Sequence, residues 1–115
     1  MLTTDRLKEI MKIYVGELKS IYSDCLIQVS LFGSYARGDY RNDSDIDVFV
    51  LVRGMDCDLE KFSDKFYEMS FEFNMKYDVD IQTVVMSTEY YNKWKYVHPL
   101  LLNIKEDEVR IYDAA

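Results

Sequence analysis

The sequence is poor in residues that break or brace a chain. It holds one proline, Pro99, and four glycines in 115 residues. Few positions can therefore stop a helix outright. The two cysteines, Cys25 and Cys57, lie far apart with no C-x-x-C spacing. That excludes a disulfide framework and a thiolate zinc site, and reduced thiols are expected. His98 is the single histidine, and it precedes Pro99. It is read as a loop or packing residue, so chemistry here does not rest on imidazole. No apolar run approaches the roughly 20 residues that cross a bilayer. The opening MLTTDRLKEI carries acids and no apolar stretch, so neither a signal peptide nor a membrane span is expected, and the cytoplasm is the default location. Basic excess is missing as well. The 14 Lys and Arg are scattered, against 21 Asp and Glu, for a net charge of −7. Tight binding to nucleic acid through its phosphates is not expected. A nucleotide held through a metal ion is not excluded, because the ion dominates the local charge. There are no internal repeats, linkers or low-complexity segments.

What is present is ordinary for a folded chain, with 49% hydrophobic and 30% charged residues. One domain spanning 1–115 is expected. Leu7, Ile10, Met11, Tyr14, Leu18, Ile21 and Tyr22 recur at three and four, which predicts a helix over Thr4–Tyr22 capped by Thr3 or Thr4. A strand follows over about Cys25–Phe32, and another over about Ile46–Val52. A second helix is predicted over about Asp58–Lys76 on Leu59, Phe62, Phe66, Met69 and Phe73. Phe71 and Met75 lie off that stripe, so this helix is buried broadly or meets a partner. A third strand is read over Tyr77–Val85 and a third helix over Glu89 to about Val97, interrupted at His98-Pro99. Leu100–Ile104 is a short apolar segment, Lys105–Glu108 a charged turn, and Val109–Tyr112 a last short strand. The order predicts an α+β fold, a small mixed sheet flanked by helices. Tyr90, Tyr91, Trp94 and Tyr96 are read as core and surface aromatics, with a protein-binding face as the alternative.

The stretch from Leu31 to Val52, LFGSYARGDYRNDSDIDVFVLV, organises the rest. A buried strand ends at Gly33-Ser34. Tyr35–Gly38 leaves room for one helical turn, and a polar loop, Asp39–Ser44, leads to Asp45-Ile46-Asp47. Alternation puts Asp45 and Asp47 on one face of the strand and Ile46 on the other. Two carboxylates this close repel and hold protons more tightly, unless a cation sits between them. A hard divalent ion such as Mg²⁺ suits such oxygen ligands beside phosphate. The glycine lets a ligand approach the backbone, and the turn offers N–H groups to an anion. A phosphate cradle beside a metal clamp describes phosphoryl or nucleotidyl transfer. A plain strand–turn–strand explains each residue singly, but not two same-face aspartates entering a Val/Phe/Leu strand.

Gly33-Ser34-Tyr35-Ala36-Arg37-Gly38 followed by Ser44-Asp45-Ile46-Asp47 resembles the signature of the DNA polymerase beta-like nucleotidyltransferase superfamily, and within it the minimal nucleotidyltransferase (MNT) branch. The resemblance implies that superfamily's fold. It implies that Gly33 and Ser34 hold the triphosphate of ATP, and that Asp45, Asp47 and a third carboxylate from the next strand bind two Mg²⁺ ions. Asp80, flanked by Val79 and Ile81, matches the third position better than Asp78, which is read as a solvated strand start. Arg37 matches the family's arginine and reaches the triphosphate or pairs with a carboxylate to fix the loop. Ser44 is expected to cap the loop before Asp45, and Gly38 to allow the turn. Small MNT proteins resemble the antitoxins of HEPN/MNT toxin–antitoxin pairs, which implies transfer of AMP from ATP to a tyrosine of a HEPN toxin. No acceptor domain is visible, so a partner or second subunit is expected to supply that surface, in a homo- or hetero-oligomer. Two other readings stay open: transfer to a small molecule such as an aminoglycoside, and a non-catalytic antitoxin that acts by binding alone.

Overall fold

A computed structural model describes residues 2–41 and 44–114, and only the backbone of Asp56 and Cys57. Residues 42 and 43 of the polar loop, and the Cys57 thiol, thus lie outside the described residues. Helix α1 spans Thr4–Tyr22, and the Thr3 hydroxyl accepts from the Arg6 N–H at 3.1 Å. A short 3₁₀ turn, Ser23–Cys25, leads into strand β1, Leu26–Phe32. Helix α2 is a single turn, Gly33–Arg37, and strand β2 runs Ile46–Val52. Helix α3, Asp56–Tyr77, precedes strand β3, Ile81–Ser87. Helices α4, Thr88–Trp94, and α5, Pro99–Asp107, lead to strand β4, Val109–Asp113.

The four strands form one mixed sheet in the order β3-β2-β1-β4. β1 pairs antiparallel with β2 and β4, while β2 and β3 run parallel. Alternation along β2 sets the layers. Ile46, Val48, Val50 and Val52 pack with the buried residues of α1 and α3. Phe49 and Leu51 point the other way and pack with Met86, Leu101 and Ile104 under α4 and α5. Asp47 shares the parity of Phe49 and Leu51, so it faces the α4/α5 side.

The third strand starts later than the sequence predicts. Alternation runs through Tyr77–Val85, but α3 continues to Tyr77. Asp78 closes it in a left-handed conformation, φ 53°, ψ 51°, which the short polar side chain of Asp tolerates. The Asn74 side chain then fixes where β3 begins: its Oδ1 accepts from the Ile81 N–H at 3.0 Å. Asp78 and Asp80 therefore do not share a strand face. The third helix is also shorter than expected, and a fifth helix replaces the charged turn. Pro99 opens α5 rather than only interrupting what precedes it. Its missing N–H costs nothing at a helix start, and His98 Nδ1 accepts from the Leu100 N–H at 3.2 Å.

Polar contacts at Tyr14 cross the main core, one of them to the Ser70 side chain of α3. Tyr14 is fully buried on α1, and its hydroxyl shares a 2.7 Å hydrogen bond with the Thr83 hydroxyl on β3. Its ring meets Phe73 edge-on at 4.9 Å. Removing one hydroxyl of such a pair leaves the other short of a partner. Tyr14→Phe is predicted to lower stability by about 1–2 kcal/mol, and much less in a Thr83→Val background, measured as a double-mutant cycle by urea unfolding.

Candidate functional site

Four elements meet at the site: the end of β1, the starts of β2 and β3, and the turn α2. Phe32, the last residue of β1, pairs across the ladder with Asp47. Gly33 comes next, with φ +74°, a conformation that costs any residue with a side chain. A Cβ at Gly33 would overlap Asp47 Oδ2. The α2 backbone thus begins directly against one carboxylate. Gly38 ends the turn at φ 86°, its N–H donating to the Ser34 carbonyl at 2.9 Å. Tyr35 and Tyr40 stack at 4.2 Å, holding the following loop to the turn. Ser44 caps that loop as expected, accepting from the Arg41 N–H at 2.8 Å.

Asp80 arrives from the other side. Its carbonyl accepts from the Ile46 N–H at 2.9 Å, which places it level with the residue between Asp45 and Asp47. Its carboxylate accepts from Gln82 Nε2 at 2.6 Å. Asp45 is exposed and Asp47 half-buried. Burial raises the Asp47 carboxyl above the ordinary carboxylate value; the Arg37 charge lowers it and the Asp80 charge raises it. Asp47 and Asp80 are therefore electrostatically coupled, whereas Asp78 serves as the cap of α3.

Arg37 pairs with carboxylates. Its guanidinium contacts Asp107 of α5 at 2.9 Å and Asp39 at 3.2 Å. This is the loop-fixing alternative, and it ties α2 to the helix that covers the sheet. Sequence reasoning missed both Asp107 and Gln82. Gln82 stands two residues beyond Asp80 and could have been found by strand parity. Asp107 is 70 residues from Arg37, and no local pattern signals it.

Asp45, Asp47 and Asp80 carry carboxylate oxygens, the donor type that Mg²⁺ prefers. A half-buried Asp47 facing a second carboxylate gains most from a cation beside it. Among the described residues, no group of three or more His, Cys, Asp or Glu side chains is gathered as a metal ligand set. The donor chemistry fits the ion, while the Gln82 bond holds Asp80 in its own contact.

Residues 11–112 match the model of the nucleotidyltransferase domain family. The chain belongs to that family. A relative from Methanocaldococcus jannaschii, named "putative protein adenylyltransferase", is 40% identical over 67% of this chain and 76% of its own length. A toxin–antitoxin structure with AMP-PNP superposes with a TM-score of 0.57 at 17% identity, over 93% of this chain and 73% of that one. A tri-AMPylated Shewanella oneidensis HEPN toxin in complex with an MNT antitoxin gives a TM-score of 0.50 at 15% identity, over 93% and 73%. Both structures share the fold. The mixed sheet with flanking helices is thus a nucleotidyltransferase fold, as the central motif implied.

Two predictions come from the Gly33–Asp47 contact. Gly33→Ala is predicted to destabilise the fold by more than about 1 kcal/mol, since a left-handed Ala alone costs that much. Part of the loss should vanish in an Asp47→Ala background, because the overlap disappears and only the backbone cost stays. Asp47→Asn should raise the thermal midpoint at pH 7. An acid whose pKa is raised on folding binds its proton more tightly in the native state. Its ionisation therefore removes stability as pH climbs through the carboxylate range. The gain from Asn should shrink as pH falls below the ordinary Asp value.

Proposed function

We propose that this nucleotidyltransferase moves AMP from ATP onto a tyrosine hydroxyl of a HEPN-family toxin and so acts as an antitoxin. The observation that carries the reading is the juxtaposition of Asp47 with Gly33 at the start of α2 and with the charge of Asp80. In this arrangement a triphosphate lying along the Gly33–Ser34 backbone has its reacting phosphorus near carboxylates from two parallel strands. The relative named for protein adenylyl transfer and the AMPylated toxin complex support a protein acceptor.

Each residue then has a task. The Gly33 and Ser34 N–H groups and the Ser34 hydroxyl hold β- and γ-phosphate oxygens. Arg37, anchored by Asp107 and Asp39, keeps that turn in place. Asp45 and Asp47, with Asp80, would hold Mg²⁺, which supplies charge neutralisation on the triphosphate and activation of the acceptor hydroxyl. Asp80 takes the proton of the attacking tyrosine. The hydroxyl oxygen bonds to the α-phosphorus, the bond to the bridging oxygen breaks, and pyrophosphate leaves in line.

Incubation with ATP and Mg²⁺, with and without a co-encoded HEPN protein, tests this by intact mass. The expected result is a gain of one or more AMP units on the partner. Asp47→Asn should slow transfer at least about a hundredfold, and Asp80→Asn should cost far more than Asp78→Asn. A stable complex that silences the toxin with no mass gain would instead favour binding alone. No complex and no transfer would turn attention to small-molecule acceptors such as aminoglycosides.

A further inference from the structure

A large cavity lies away from the carboxylates. It is a groove of about 630 Å³ between α1 and β4, running along α1 from Thr4 to Lys19. At 1.5 Å per residue that is about 22 Å, or four helical turns. Lys8, Lys12 and Lys19 line it on the α1 side and the exposed Val109 and half-buried Ile111 on the β4 side, while Leu7, Met11 and Val15 lie beneath, already buried in the core. Those lysines, spaced at i, i+4 and i+11, stand in one row on the helix. None makes an ion pair with an acid among the described residues; the Lys19 ammonium sits over the Tyr112 ring at 4.4 Å. A row of uncompensated cations is notable in a chain of net charge −7.

Gly16 interrupts the row in the middle of α1 and lines the groove. A mid-helix glycine costs about 1 kcal/mol relative to alanine. Nothing lies within 4 Å of a Cβ built there, so the fold itself does not require the missing side chain. A bare backbone near the Lys19 end of the groove lets another chain approach α1 closely. Strand addition to β4 is disfavoured. Its pairing with β1 is bulged at Val29/Ser30, and Arg110 bridges Glu108 and Asp113 along it.

We propose that this groove receives a four-turn amphipathic helix of a partner protein, with apolar side chains against Val109 and Ile111 and acidic residues along the lysine row. Charge complementarity and the opening at Gly16 select this occupant. The proposal does not depend on the transfer reaction.

The test is fluorescence anisotropy with a labelled 18-residue helical probe, leucine at three-four spacing and glutamate on both flanks, against the same probe with lysine for glutamate. The acidic probe should bind at least about tenfold tighter than the basic one, with affinity falling as salt rises. Gly16→Leu should weaken binding at least about tenfold while its thermal midpoint matches or exceeds wild type, because leucine favours the helix. Lys12→Glu with Lys19→Glu should reverse the probe preference. Equal affinity for both probes, no binding of either, or full binding by Gly16→Leu would overturn the proposal. So would light scattering that shows a dimer converted to monomer by Gly16→Leu, since a second copy would then fill the groove.

Discussion

The contact on which the rest of the site depends is the backbone of Gly33 pressed against the carboxylate of Asp47. It requires three things at once. β1 must end where β2 begins, which the antiparallel pairing of Phe32 with Asp47 provides. The chain must then turn through positive φ, which glycine allows. Finally, an acid must occupy a position that the alternation of β2 would otherwise give to an apolar side chain. The strand continues with Val48, Phe49, Val50, Leu51 and Val52, all buried. The first turn of the strand thus gives up burial to hold charge, and its remainder compensates by packing on both faces.

Around that contact the fold works as a clamp. The Ile46 N–H binds the Asp80 carbonyl, so the parallel strand β3 is registered against the carboxylate pair. Asn74 fixes the start of the same strand from α3. On the other side, Arg37 ties α2 to Asp107 of α5, which itself packs on the face that Asp47 shares. The helices that bury the core are therefore the same ones that hold the turn and the start of β3 in position. Family membership follows from residues 11–112 as a whole, and the local geometry says why the central motif needs glycine at 33 and 38 and arginine at 37.

Much of this was legible in the sequence, for identifiable reasons. α1 and β2 emerge with their observed bounds because one has a regular three-four stripe and a threonine cap and the other an unbroken apolar run. Gly33 and the Asp45/Asp47 pair are local patterns, and local patterns survive without coordinates. The start of β3 was misplaced because Tyr77-Asp78-Val79-Asp80-Ile81 alternates like a strand, while a left-handed Asp78 and the Asn74 bonds override the pattern. Pro99 was read as a break because the residue before it leaves the helical region, which is equally true of a helix start capped by His98. The Arg37–Asp107 pair was beyond reach, since only the folded chain brings 37 and 107 together. The α1 groove was invisible for a similar reason: basic residues that look scattered in sequence line up only on the folded helix, and the opening against β4 is a product of packing.

A crystal structure with a non-hydrolysable ATP analogue and Mg²⁺ tests the central claim most directly. The account predicts a triphosphate against the Gly33–Ser34 backbone, ions on Asp45 and Asp47, and Asp80 drawn from Gln82 toward them. A nucleotide seated elsewhere, or bound with none of these carboxylates touching an ion, would contradict it.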